Sequence, residues 1–141
     1  MHNNSRILFL IAFVGLVLVV PATALGPDSD QAFEEDLQVY TDPALLYELI
    51  KDPPLDFYLV DTRTSEEYES GHIPGAIHRK YREIGGALPT ENGDALVVVY
   101  CLSGVRSNRA ARTLQRVGFT RVLDWGGIVD WPFEVVQGSE P

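Results

Sequence analysis

The stretch VVVYCLSGVRSNRAARTL, Val97 to Leu114, holds the change of pattern that decides the fold. Its first residues belong to an apolar run, Ala95 to Tyr100, of the kind needed by a strand buried on both faces. After Cys101 and a short turn, the spacing predicts a helix from Val105 to Val117 that buries Ala110, Ala111, Leu114 and Val117 on one side. Gly118 then suits a left-handed C-cap, with Phe119 folding back on Leu114. A buried strand running through a tight turn into a helix is the building unit of a parallel α/β sheet.

Upstream, LQVYT (Leu37 to Thr41) has strand character. In DPALLYELIKD, Asp42 is an N-cap, Pro43 takes the first helical position, and Leu45, Leu46, Leu49 and Ile50 recur at helical spacing until Pro53-Pro54 ends the helix. FYLVD (Phe57 to Asp61) reads as a second buried strand. TSEEYES carries a capping box, Thr64 with Glu67, and Gly71 closes that short helix. A brief strand at AIH follows the Pro74-Gly75 turn. Downstream, TRVLD (Thr120 to Asp124) is a strand and GGIVDW a short terminal helix. The alternation predicts an α/β fold with a mainly parallel sheet and helices on both faces, whose chemistry sits at the carboxyl ends of strands. Cys101 and Asp61 both fall there.

The chain has 141 residues and a formal net charge of −9. Arg6 precedes an apolar run, Ile7 to Val20, shorter than the roughly 20 residues that span a bilayer. Ala22 and Ala24 supply a small-x-small cleavage pattern, so residues 1–24 are expected to be a signal peptide, with an uncleaved N-terminal membrane anchor as the alternative. An exported protein, periplasmic or secreted, is the expectation. Residues 25–36 read as an acidic leader, 37–135 as the domain and 136–141 as a C-terminal tail. The acidic balance argues against nucleic acid, and membrane contact is expected only if the N-terminal segment is kept.

An oxidising compartment favours paired cysteines, yet Cys101 has no partner in the chain. CxxC redox chemistry and cysteine-based zinc sites are therefore excluded, and His72 and His78 are too few to suggest a metal. A free cysteine is commonly an inert core residue. The neighbours of Cys101 argue otherwise. A sulfur facing a helix N-terminus meets free amides and the positive end of the helix dipole, which lower a thiol's pKa. Ser103 and Gly104 let the loop curl those amides inward as an anion-binding nest. Arg106 and Arg109 occupy a first turn where acids are preferred, and no acid appears between Cys101 and Asp124. Arg112 and Arg116 are expected on a solvated face.

These residues resemble a single-domain rhodanese-like sulfurtransferase. The resemblance rests on LVDTRTSEEYESGHIPGAIH (Leu59 to His78), YCLSGVRSNRAARTLQRVGF (Tyr100 to Phe119) and VLDWGGIVDW (Val122 to Trp131), three motifs in the family's order. It implies a five-stranded parallel sheet flanked by helices and an active-site loop from Cys101 to Arg106. In that loop Cys101 is the catalytic nucleophile, and Leu102, Ser103, Gly104, Val105 and Arg106 bind substrate. Cys101 would take a sulfane sulfur from a small anionic donor such as thiosulfate, and pass it to a thiol, cyanide or a partner protein. No cofactor or metal is implied. Asp61, Arg63 and His72 are expected to support the site by bracing and backbone hydrogen bonding, and Trp125 and Trp131 to pack. Leu102 departs from the basic residue that many relatives carry there.

Two other functions stay open. A phosphatase or arsenate reductase on the same scaffold uses a longer C-x5-R loop, whereas Cys101 to Arg106 is C-x4-R. A non-catalytic binding or sulfur-carrier module is the other, although inactive copies often lack the cysteine kept here.

Overall fold

The computed structural model describes residues 37–141; the expected signal segment 1–24 and acidic leader 25–36 lie outside the described residues. After a 3-10 turn at Gln38–Thr41 come helix α1 (Pro43–Lys51), strand β1 (Phe57–Asp61), helix α2 (Ser65–Ser70), strand β2 (Ile77–His78), strand β3 (Leu96–Cys101), helix α3 (Val105–Arg116) and strand β4 (Arg121–Gly127). A second 3-10 turn, Ile128–Asp130, follows. The strands form one parallel sheet in the order β2-β1-β3-β4. No helix among the described residues is long and apolar enough to cross a membrane.

The predicted α/β architecture holds, but the sheet has four strands among the described residues rather than five. Leu37–Thr41 alternates like a strand, yet its backbone closes on itself: the Asp42 amide donates to the Val39 carbonyl at 3.3 Å and the Thr41 hydroxyl to Gln38 at 2.7 Å. Leu37 is buried while Val39 is 46% exposed, so the alternation has no second layer to bury against.

Strand β3 organises the core because neighbours pair along both its edges and its six residues are all buried. Leu96, Val98 and Tyr100 face a cluster with Leu46, Leu59, Leu123, Trp125 and Trp131. Val97 and Val99 face the opposite cluster with Val60, Ala110, Ala111, Leu114 and Phe119. The period-2 alternation of a strand thus feeds two separate cores, one under α1 and one under α3. Trp125 and Trp131 pack edge to face at 5.7 Å, as expected for buried aromatics.

Asp42 caps α1 as predicted, its carboxylate accepting from the Ala44 amide at 2.8 Å. Leu46 is buried with Leu49 and Ile50 packed beside it, but Leu45 points outward. At the end of α3, Phe119 N–H donates to the Leu114 carbonyl (3.1 Å) and Gly118 N–H to that of Gln115 (3.2 Å), with Gly118 at φ +108°. This is the paired C-terminal closure that glycine permits. Because that closure swings the backbone, Val117 is 49% exposed instead of sharing the buried face. Strand β4 runs further than Thr120–Asp124, through Gly127, and its register against β3 shifts between Val99 and Tyr100. The chain returns at its end: Val136 and His72 exchange two backbone hydrogen bonds of 2.9 Å, and the Gly138 amide donates to Glu69 at 3.0 Å.

Leu114 within α3 and Val117 just past its end give a direct check of this packing. Leu114→Ala is expected to lower the unfolding free energy by about 2–5 kcal/mol in a urea titration. Val117→Ala, on the exposed side, should change it by about 0.5 kcal/mol or less.

Candidate active site

Cys101 is the last residue of β3, paired in register with Gly127, and only 1% of its surface is exposed. The chain then turns through Gly104, whose φ of +95° lies in the left-handed region that favours glycine. That conformation points the Gly104 amide back at the Cys101 sulfur, to which it donates at 3.1 Å. Helix α3 begins on the next residue with no side-chain cap and no acid in its first turn. The sulfur takes the place that a capping oxygen would fill.

A second segment presses the loop into this shape. A Cβ on Gly127 would lie 2.7 Å from Ser103 Cα and overlap the Leu102 carbonyl, so only glycine fits there. The preceding Gly126, at φ +99°, is where β4 resumes pairing after its bulge, and its amide is held by Asp124 at 3.2 Å. Ser107, fully buried, donates its hydroxyl to the Gly104 carbonyl at 3.0 Å and lies 3.2 Å from that of Gly126. Loop, helix and β4 are thereby tied at one point.

Burial opposes ionisation of the Cys101 thiol, but the Ser107 and Ser103 amides, the Ser107 hydroxyl and the Gly104 amide together outweigh it and lower its pKa. Arg106 forms a two-pronged ion pair with Glu67, Nη1 to Oε2 at 2.6 Å and Nη2 to Oε1 at 2.7 Å. The Arg106 hydrogen bond, against a smaller desolvation effect and with help from Thr64, holds the Glu67 carboxyl down to about 2. The same carboxylate accepts from the Thr64 amide at 3.0 Å, completing the α2 capping box. Glu67 thus joins α2 to the thiol loop. Sequence reasoning placed it only in the helix cap, because nothing local signals a partner on α3. Ser107 was missed too, lying one residue beyond the expected loop.

The other predicted residues divide by position. Leu102, Ser103 and Val105 are exposed around the sulfur, and Leu102 (44%), Val105 (63%) and Val129 (65%) leave apolar side chains open to solvent. Asp61 and Arg63 form a buried ion pair at the end of β1, with Arg63 Nη2 2.6 Å from Asp61 and also 2.6 Å from the Gly71 carbonyl. Burial works against the Arg63 charge, but Asp61 more than restores it and the pKa rises. The Thr62 amide and hydroxyl both donate to the Tyr100 carbonyl, at 2.9 and 2.8 Å, which locks β1 to the residue before the cysteine. His72 bonds to backbone, with partners far apart in sequence. It is fully buried, stacks on Tyr68 at 3.8 Å, and has a ring nitrogen 2.9 Å from each of the Tyr68 and Glu140 carbonyls. Among the described residues, no group of three or more His, Cys, Asp or Glu side chains is placed to hold a metal.

Comparison with known proteins matches the same region. PspE, the thiosulfate sulfurtransferase of Escherichia coli (strain K12), is 35% identical over 83 residues, covering 56% of this chain and 78% of that protein. YrkF of Bacillus subtilis (strain 168) is 38% identical over 74 residues, which make up 52% of this chain but only 40% of YrkF. The crystal structure of a rhodanese-like domain protein from Staphylococcus aureus superposes with a TM-score of 0.58 at 29% identity, covering 69% of this chain and 93% of that one. With the rhodanese-like domain model matching residues 42–132, around a cysteine loop of this geometry, the chain belongs to the rhodanese-like family.

Proposed function

We propose that the protein is a sulfurtransferase that carries a sulfane sulfur as a persulfide on Cys101. The observation that carries this reading is the sulfur held at the start of α3 by an inward-facing amide, 3.1 Å away, in a loop with no competing acid. The thiolate attacks the outer sulfur of a donor such as thiosulfate, the donor's S–S bond breaks, and sulfite leaves with the electron pair. An acceptor thiolate or cyanide then attacks the outer sulfur of the persulfide and releases the Cys101 thiolate. The Ser103, Gly104 and Ser107 amides that favour the thiolate would hold the persulfide anion as well, which is preorganised electrostatic stabilisation of a covalent intermediate. The sulfurtransferase name of PspE supports the same chemistry. Export directed by residues 1–24 is part of this proposal and rests on the apolar run and the alanines that follow it.

Intact mass spectrometry of the reduced chain tests the central step. One added sulfur is expected after thiosulfate on the native protein, none on Cys101→Ser, and cyanide should discharge it as thiocyanate. No gain from thiosulfate, polysulfide or mercaptopyruvate would end the sulfurtransferase reading.

The pH profile of iodoacetamide alkylation should have its midpoint below that of an ordinary cysteine. Ser107→Ala, which removes one of the groups favouring the thiolate, should move that midpoint upward.

Glu67→Gln keeps a side chain able to complete the capping box but removes the carboxylate charge from Arg106. The sulfur-loading rate is expected to fall on the order of tenfold through misplacement of the loop. Since the Glu67 carboxyl is depressed in the folded state, its stabilisation is present above 4.5 and lost as pH falls toward about 2. Acid unfolding followed by tryptophan fluorescence should show this loss in the native chain and not in the Gln variant.

A further inference from the structure

A groove of about 870 Å³ runs between α3 and the turn after β2, lined by Tyr81 and Arg82 from the turn and by Arg109, Arg112, Thr113 and Arg116 among the helix residues. The turn packs closely on the helix, since a Cβ on Gly85 would sit 3.1 Å from Thr113 Cγ2. We propose that this groove docks an acidic segment of the protein that receives sulfur from Cys101. The proposal rests on the sulfur-transfer reading above.

Its charge is the first argument. Acids outnumber bases by 20 to 11 in the chain, yet four arginines line this groove and no carboxylate does. Among the described residues, the ion pairs engage Lys51, Arg63 and Arg106, and none of the four groove arginines. Arg109, Arg112 and Arg116 recur three and four residues apart on one helix, where like charges repel and local stability would favour alternating signs. The helix C-terminus, together with the Arg112 carbonyl and Thr113 hydroxyl that the Arg116 guanidinium reaches at 3.2 and 3.0 Å, offsets part of that repulsion; an anionic occupant would offset the rest.

Size and reach identify the occupant. From Arg109 to Arg116 a helix rises by about 10 Å, roughly the span of three or four residues of an extended peptide. A small anion such as thiosulfate meets one or two of these guanidinium groups, whereas a short run of carboxylates meets them all, and guanidinium forks match carboxylates. Tyr81 and Arg82 also line a smaller pocket of about 340 Å³ together with Arg63, Lys80, Arg106 and one carboxylate, Glu83, so a mainly basic surface leads from the groove to the catalytic loop. A nearly buried sulfur requires an acceptor that delivers its thiol at a fixed place, and an acidic anchor one groove away supplies that orientation. The chain's net charge of −9 disfavours long polyanions such as nucleic acid or anionic membrane while leaving a short acidic segment acceptable.

The test uses synthetic acceptor peptides ending in cysteine after a flexible glycine spacer, preceded by four acidic residues, their amide counterparts, or four lysines. With the thiosulfate-loaded full chain, kcat/KM for the acidic peptide is expected to exceed that for the amide peptide by about tenfold at low salt, and to converge with it at high salt. Arg112→Glu/Arg116→Glu should abolish the preference while discharging to cyanide at the native rate, and the milder Arg112→Gln/Arg116→Gln should reduce it. Equal rates for the three peptides, or a preference that survives charge reversal, would overturn the proposal. Fluorescence anisotropy of a labelled acidic peptide without cysteine, on the unloaded chain, keeps the groove testable if loading itself fails. Binding lost on charge reversal supports the groove, no binding at low salt overturns it, and tighter binding of an oligonucleotide or of anionic vesicles overturns the assigned occupant.

Discussion

The hydrogen bond from the Gly104 amide to the Cys101 sulfur, 3.1 Å long, depends on three constraints that meet within a few residues. Strand β3 has to end at the cysteine, the chain has to turn through a left-handed residue, and α3 has to begin immediately afterwards. Each has a physical cause elsewhere. β3 is held on both edges and buried on both faces, so its end point cannot slide without moving two hydrophobic clusters. The turn is held from above by Gly127, where any side chain would strike the Leu102–Ser103 backbone. The strand that carries Gly127 reaches that point only because of the bulge beyond Val99.

Charge is arranged so that each cation near the thiol serves a separate purpose. Arg63 is held by Asp61, and the buried pair is supported because the Asp61 oxygens and the Gly71 carbonyl accept from its Nε and Nη2. Arg106 is held by Glu67, so part of the charge at the loop's end is already compensated before any anion arrives. The arginines further along α3 carry no such partner among the described residues, which divides the basic character of the helix into a structural portion at its start and a recognition portion along its length. Leu102 and Val105 of the loop, with Val129, whose amide donates to the Leu102 carbonyl at 3.4 Å, leave apolar side chains exposed to solvent beside these charges.

What could be read without coordinates was whatever depends on residues close together in the chain. The Asp42 and Thr64 caps, the Gly118 closure and the strand-turn-helix around Cys101 all follow from spacing over a few positions, and each stands where expected. Leu37–Thr41 misled because a period-2 pattern is necessary for a strand but not sufficient: pairing needs a neighbour, and here the backbone closed on itself. Val117 misled because its helix stops one residue earlier, and the closing turn carries the side chain out. Glu67 and Ser107 were not legible as site residues, since their partners lie 39 and 19 positions away.

By itself the sequence determined the α/β class, the single thiol at a strand end and its place at the mouth of a helix, because alternation, capping and glycine conformations are local properties. Tertiary structure alone decided which carboxylate holds Arg106, which glycine presses on the loop, that His72 clasps the returning chain, and that four arginines from two segments line one groove. These depend on distances between segments far apart in sequence, and such distances are set only when the two hydrophobic faces of the sheet are buried together.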